Sequence, residues 1–284
     1  MPHYDFDYRT CFMTFMDYVK EFFRWTNNRE PEGWLSWQHL VFVAVCIAIT
    51  VFLGVFYGKR RKNSGTKAKQ KVLLNAAIIM IATELTKIIL ISFRRHDVFA
   101  IRSMLPLFLC SINLFVIPLT AFNSKITKIT TYFVSVYGPL CCIAGTVLAA
   151  NYYNGSPIFS FDVLNSTITH CISGFAGVYI MVSGLLRDYD MTEDTLRYVL
   201  SSLVLVPISF LALIANALNF NSSYESNYMF LRHAAGTPFS IVENMAGHNP
   251  IIYPILVIIL YLVYGFVFCG IYYFFAKRKA KKSN

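Results

Sequence analysis

Seven separate stretches of this chain run apolar for about twenty residues each, the length an α-helix needs to cross the hydrocarbon core of a bilayer. They are 38–57, 72–92, 104–122, 130–152, 162–186, 197–220 and 250–276. The pattern predicts an all-α fold, a polytopic membrane helix bundle of seven transmembrane helices over 38–276. Composition agrees, since 56% of the 284 residues are hydrophobic and only 14% are charged. Such a chain is an integral membrane protein rather than a soluble domain.

The net charge of +10 is concentrated in two short blocks, GKRRKNSGTKAKQK at 58–71 and KRKAKK at 277–282. Beside hydrophobic spans, such blocks orient the protein and touch anionic headgroups. Nucleic acid is a poor partner for it, because no soluble domain exists to carry one; membrane lipids are the expected partners. With the C-terminus inside, the inner connections carry 16 Lys and Arg and the outer ones 8. That bias predicts a multi-pass cell-membrane protein with its N-terminus outside and a basic cytoplasmic tail at 277–284.

Residues 1–37 form a separate N-terminal segment. Phe12, Phe15, Met16, Val19, Phe22 and Phe23 recur at helical spacing, with Asp17, Lys20, Glu21 and Arg24 on the other face. This predicts an amphipathic helix in the outer interface, with packing on the end of the bundle as the alternative. Trp25, Trp34 and Trp37 fit an interfacial aromatic belt. A basic leader with a small-residue cleavage site is not legible, so no removable signal peptide is expected.

Several readings of the chemistry fail. The seven cysteines form no CxxC pair, and no disulfide framework is legible. There is no GxSxG elbow, HExxH helix or Walker loop, and neither cofactor nor metal is expected. Asn154 and Asn221 open glycosylation-type triplets on outer loops.

What remains is a set of costly residues inside the spans, where charge normally faces a cavity or a partner. Counting rise per residue, Lys87 lies roughly 7 Å below the outer end of span two and Glu84 about 12 Å. Cys110 lies about 9 Å into span three, with Asn113 one turn deeper, and His170 roughly 12 Å into span five. Gln38, His39, Asn151 and Asn216 fall in the same outer half. The common depth predicts a polar pocket open to the outer leaflet, with the 221–249 connection, including Asn227, Tyr228 and Arg232, as its cover.

Each member has a plainer reading. Glu84 and Lys87 stand at i,i+3 and can neutralise each other. His170 can hydrogen-bond across helices, with Ser166, Ser173, Gly174 and Gly177 permitting close packing. Asn113 can do the same, and Cys110 can be packing. Cys141 and Cys142, mid-span with no ionisable neighbour at their depth, read as packing.

WLSWQHL at 34–40, the Glu84/Lys87 span, LPLFLC at 105–110, NSTITHCISG at 165–174 and NYMFL at 227–231 occur in the order seen in YwaF-type bacterial membrane proteins. Over most of 34–275 the chain resembles that family, whose eukaryotic relative is transmembrane protein 164. The resemblance implies six or seven helices and, by the eukaryotic branch, a lipid acyltransferase with a cysteine nucleophile. By motif, the nucleophile falls on Cys110 and the intramembrane histidine on His170. The bacterial motif usually reads LPLHLC, so Phe108 stands where a histidine is expected. The eukaryotic branch places a histidine after its cysteine, where this chain has Ser111.

That implied activity makes demands on the residues. A thiol buried in lipid is inert until something draws off its proton. His170 can act as general base and Lys87 can favour the thiolate. Asn113 or Lys87 can stabilise the oxyanion. Lys87 with Arg94, on one face of span two, can instead hold a lipid phosphate. The apolar walls suit an acyl-chain substrate. The rivals are a transporter or sensor that binds a headgroup or small solute in the same pocket, and a scaffold whose polar residues only lock helices together.

Overall fold

The computed structural model describes residues 15–26, 29–96, 105–122, 125–186, 201–219, 226–234 and 237–281. Among them all regular structure is helical. In chain order the helices are α1 (Phe15–Phe22), α2 (Trp37–Arg61), α3 (Thr66–Arg95), α4 (Asn113–Leu119), α5 (Lys125–Val147), α6 (Ala150–Gly155), α7 (Phe161–Ser183), α8 (Leu205–Leu218), α9 (Ser240–Met245) and α10 (Ile252–Lys281). Five helical stretches are long and apolar enough to cross a membrane: Trp37–Arg61, Thr66–Arg95, Ile126–Gly155, Phe161–Ser183 and Ser201–Leu218. The predicted starts of spans three and six, Asn221 and residues 282–284 of the tail lie outside the described residues.

Local chemistry sets the helix ends. Ser36 caps α2, its Oγ accepting from the His39 amide at 3.2 Å, and Lys59, Arg60 and Arg61 occupy the last turn, where cations complement the helix dipole. Ser160 caps α7 in the same way and Asp162 sits in its first turn. Gly184, at φ 72°, closes α7 in the left-handed region that glycine reaches without cost.

α7 is the hub, packed against α5, α2 and α3 and touching α4. Contacts along it set the directions of its neighbours. Asn165 Nδ2 donates to Thr83 O at 2.9 Å near one end, and Tyr179 OH to Lys69 O at 3.1 Å near the other. α3 is therefore antiparallel to α7. So is α5, whose Gly138 abuts Ser173 and whose Gly145 abuts His170. α2 is parallel to α7, with Gly54 facing Val178 and Gly58 facing Val182. The lipid-side residues Val45, Ile49, Phe52 and Phe56 of α2 are exposed, while Phe133, Tyr137, Tyr179 and Tyr253 are fully buried. Without a hydrophobic drive between helices in lipid, such close packing holds the bundle together.

Because α3 and α5 run in the same direction, the chain between them must return from one end of the bundle to the other. A straight helix over 104–122 is the sequence expectation, yet only Asn113–Leu119 is α-helical. Residues 105–112 descend instead through tight turns, with Ile112 N donating to Phe108 O at 2.9 Å and Asn113 N to Cys110 O at 3.2 Å. Pro106 and Pro118 bracket the segment, and proline removes a helix donor and clashes with the preceding turn. Irregular backbone at membrane depth is tolerated only where protein buries it or it lines a cavity. Leu109, Ile112 and Asn113 are buried accordingly.

At the N-terminal side, Phe22 and Phe23 pack on Phe161 with ring centroids 6.2 and 5.6 Å apart. Arg24 Nη1 donates to Gly155 O at 2.7 Å. The end of α1 thus docks on the bundle, while Phe15, Met16 and Tyr18 stay exposed.

Candidate functional site

Three of the predicted site residues come together from separate elements. Cys110 sits on the turn before α4, His170 on the third turn of α7, and Lys87 in the C-terminal third of α3. The Cys110 thiol and the His170 imidazole are within hydrogen-bonding reach of one another, and both lie within electrostatic reach of Lys87. Ser111 Oγ lies 3.9 Å from Cys110 Sγ. Lys87 is ion-paired with Glu84 on its own helix, both side chains largely shielded. Asn165, bonded to the Thr83 carbonyl, ties that turn of α3 to α7 and holds the pair in register with His170.

His170 is buried, and its ring lies flat on the bare Cα of Gly145. A Cβ there would fall 2.1 Å from His170 Nδ1, so any larger residue would displace the imidazole. Nδ1 has no hydrogen-bond partner. The imidazole is therefore positioned by packing against α5, with no acceptor at Nδ1 of the kind that orients histidine in a triad.

Asn113 is fully buried, and neither its Nδ2 nor its Oδ1 has a hydrogen-bond partner. Its neighbour is the Cys141 thiol, a weak donor and acceptor, which also lies within reach of Cys110. Orphaned buried amides are rare and call for an explanation, a ligand group among them. Cys141, which reads from sequence as isolated packing, thus borders the site. The depth count missed it because span three is not a straight helix. Tyr152 is a second residue that sequence reasoning passed over. Its hydroxyl is within electrostatic reach of Lys87, Cys110, Glu84 and Asp162. Nothing in the sequence marks it, since its placement follows from the break after Val147 that starts α6.

Arg94 takes another role. Its guanidinium pairs with Asp162 at 3.0 Å and donates to Phe23 O at 3.3 Å. It joins α3, α7 and the end of α1 at the rim of the site. His39 is wholly engaged too. Nδ1 accepts from Leu35 N at 3.2 Å, Nε2 meets Thr146 O at 3.1 Å, and the ring packs tilted against Tyr153 with centroids 4.0 Å apart.

The expected cover is wedged into the bundle. Asn216 clamps the Tyr228 peptide from both sides, accepting from Tyr228 N at 2.7 Å and donating to Tyr228 O at 3.1 Å. Asn227 closes the loop on itself, accepting from Arg232 N at 3.0 Å and donating to His233 O at 2.8 Å. Tyr228 OH accepts from Leu105 N at 3.0 Å. Burial pushes that hydroxyl above its ordinary range, and the Leu105 bond works against the shift. Phe108 packs on Tyr228 and Phe230 at 5.4 and 5.8 Å. Phe108, two positions before Cys110, is therefore an aromatic anchor for this loop. Met229 and Phe230 both hold φ near 55°, a conformation that costs a side-chain-bearing residue about 1–2 kcal/mol.

Among the described residues, no group of three His, Cys, Asp or Glu side chains is arranged to hold a metal ion. A thiol, an imidazole, an ammonium and an unpaired amide are arranged around one buried turn, in a bundle of apolar helices. Neither a curated protein nor a solved structure matches the chain. A family model does match it, over residues 34–275, which include every residue of the site, and the chain belongs to the TMEM164 family.

Proposed function

We propose that this protein is a cysteine-dependent lipid acyltransferase acting in the outer half of the bilayer. The observation that supports the reading most is that Cys110, His170 and Lys87, from three separate elements, lie within reach of one another. His170 takes the thiol proton as the Cys110 sulfur attacks the ester carbonyl of an acyl lipid. The tetrahedral oxyanion is stabilised by the Asn113 amide and the Lys87 ammonium. Collapse breaks the ester C–O bond, and the departing alkoxide takes the proton from His170. An acceptor hydroxyl, deprotonated by His170, then attacks the thioester and restores the thiol. The turn that carries Asn227, Tyr228 and Arg232 covers the site.

The same reading makes the broken segment 104–122 a membrane pass, for seven in all, with the N-terminus outside the cell membrane, α1 in the outer interface and the C-terminus cytoplasmic. The test is Cys110→Ala, purified into phospholipid vesicles and assayed for acyl exchange between lipids. Loss of about a thousandfold or more is expected. Undiminished exchange would remove the nucleophile and leave the pocket to headgroup or solute binding.

A further inference from the structure

A second cluster of nucleophiles lies where α2, α5 and α7 meet. The register of these helices is set by close approaches at glycine. A Cβ on Gly174 would fall 2.6 Å from Cys142 Cβ, 2.9 Å from Cys142 Sγ and 3.2 Å from Thr50 Cγ2. Thr50 and Gly174 therefore face each other across α2 and α7, with Cys142 of α5 beside them. One turn back along these two parallel helices stand Cys46 and Cys171. Thr50 Oγ1 donates to the Cys46 carbonyl at 2.8 Å, which marks that turn on α2. The register thus brings Cys46, Cys142 and Cys171 to neighbouring turns of one three-helix interface. All three are free thiols, and no metal-holding geometry is present among the described residues.

We propose that Cys46, Cys142 and Cys171 form an intramembrane dithiol–disulfide site, in which Cys171 becomes bonded to Cys142 or Cys46 when a hydroperoxide oxidises it. A disulfide needs Cβ atoms about 3.5–4.5 Å apart, and small residues at these interfaces let the backbones approach closely. Access suits it as well, because Cys46 and Cys171 are half-buried while Val45 and Ile49, beside Cys46 on α2, are exposed.

The chemistry balances. The Cys171 sulfur attacks the terminal oxygen of the hydroperoxide. The O–O bond breaks, an alcohol leaves with the thiol proton, and a sulfenic acid forms. The second thiol then attacks that sulfur, closing the S–S bond and releasing water. Two sulfurs are oxidised and one peroxide is reduced.

The experiment uses the full chain in membrane vesicles, treated with hydrogen peroxide in one arm and cumene hydroperoxide in the other, then alkylated and mapped by mass spectrometry. The expected result is loss of two of the seven thiols, as an intrachain disulfide joining Cys171 to Cys142 or Cys46 and reversed by dithiothreitol. Faster reaction with cumene hydroperoxide identifies an oxidant arriving through lipid, and faster reaction with hydrogen peroxide an aqueous one. Equal alkylation of Cys171 with and without oxidant overturns the proposal, as does a disulfide from Cys171 to any other partner. In Cys171→Ser the bond is expected to vanish, and a persistent Cys46–Cys142 disulfide would remove Cys171 as its centre. Mapping of the unaltered protein decides the matter even if that variant does not fold, and it is independent of acyl transfer.

Discussion

Two histidines in the same bundle have opposite surroundings. His39 is fully buried, both of its ring nitrogens are bonded, and its ring packs against Tyr153. Around it Trp34 Nε1 donates to Val147 O, and Trp34 N donates to Asn154 Oδ1, each at 2.8 Å. His170 is buried as well, yet Nδ1 has no partner, and neither does the amide of Asn113 on the segment that carries Cys110. A buried polar group without a partner costs about 1–3 kcal/mol. The His39 region uses its polar groups to hold α2 against α5 and α6. The His170 region leaves some of them unspent, which is what a site that must engage a substrate requires.

The largest expected effect tests that contrast with one substitution at two places. His170→Leu should lower acyl exchange by about 10²–10⁴-fold, the usual contribution of a general base, with the unfolding midpoint in detergent nearly unchanged. His39→Leu should do the reverse. It orphans Thr146 O and Leu35 N, costs about 1–3 kcal/mol, and leaves turnover per folded molecule intact. A stable but inactive His39→Leu protein would erase the distinction.

Next comes Asn113→Leu, of similar volume. Exchange should fall by about 10²–10³-fold, the range seen on removing an oxyanion donor, while stability holds or improves because an unpaired amide is gone. A marked loss of stability would mean that the amide serves the fold. The smallest effect belongs to Tyr228→Phe. It deletes only the hydroxyl that accepts from Leu105 N, so a loss of about 0.5–1.5 kcal/mol is expected. Faster hydrogen exchange at the Leu105 amide would report it.

Much of the architecture was legible because bilayer thickness imposes one length on every pass. α2 and α3 extend past the predicted spans 38–57 and 72–92, and α10 past the end of 250–276, mainly where charged or polar residues prolong them beyond the apolar run, whereas α7 stops at Ser183, short of the predicted end at 186. Counting depth along straight helices also brought Lys87, Cys110 and His170 to one layer. It failed for span three, where Pro106 and Pro118 break the helix. It also placed His39 beside the others, since depth says nothing about which side chains already have partners. The family motif marked Cys110 and His170 without indicating that Phe108 anchors the covering loop. Gly145 and Tyr152 carried no local signal, because one matters for the side chain it leaves room for and the other for a break in α5.

Apolar run length and the placement of basic residues were enough to establish a helical membrane protein, because hydrocarbon tolerates few other ways to satisfy a backbone. Side-chain type singled out the Cys110 thiol and the His170 imidazole. Only the tertiary structure decided which polar groups are consumed by the fold and which are left over, because hydrogen bonding is settled between helices rather than along them.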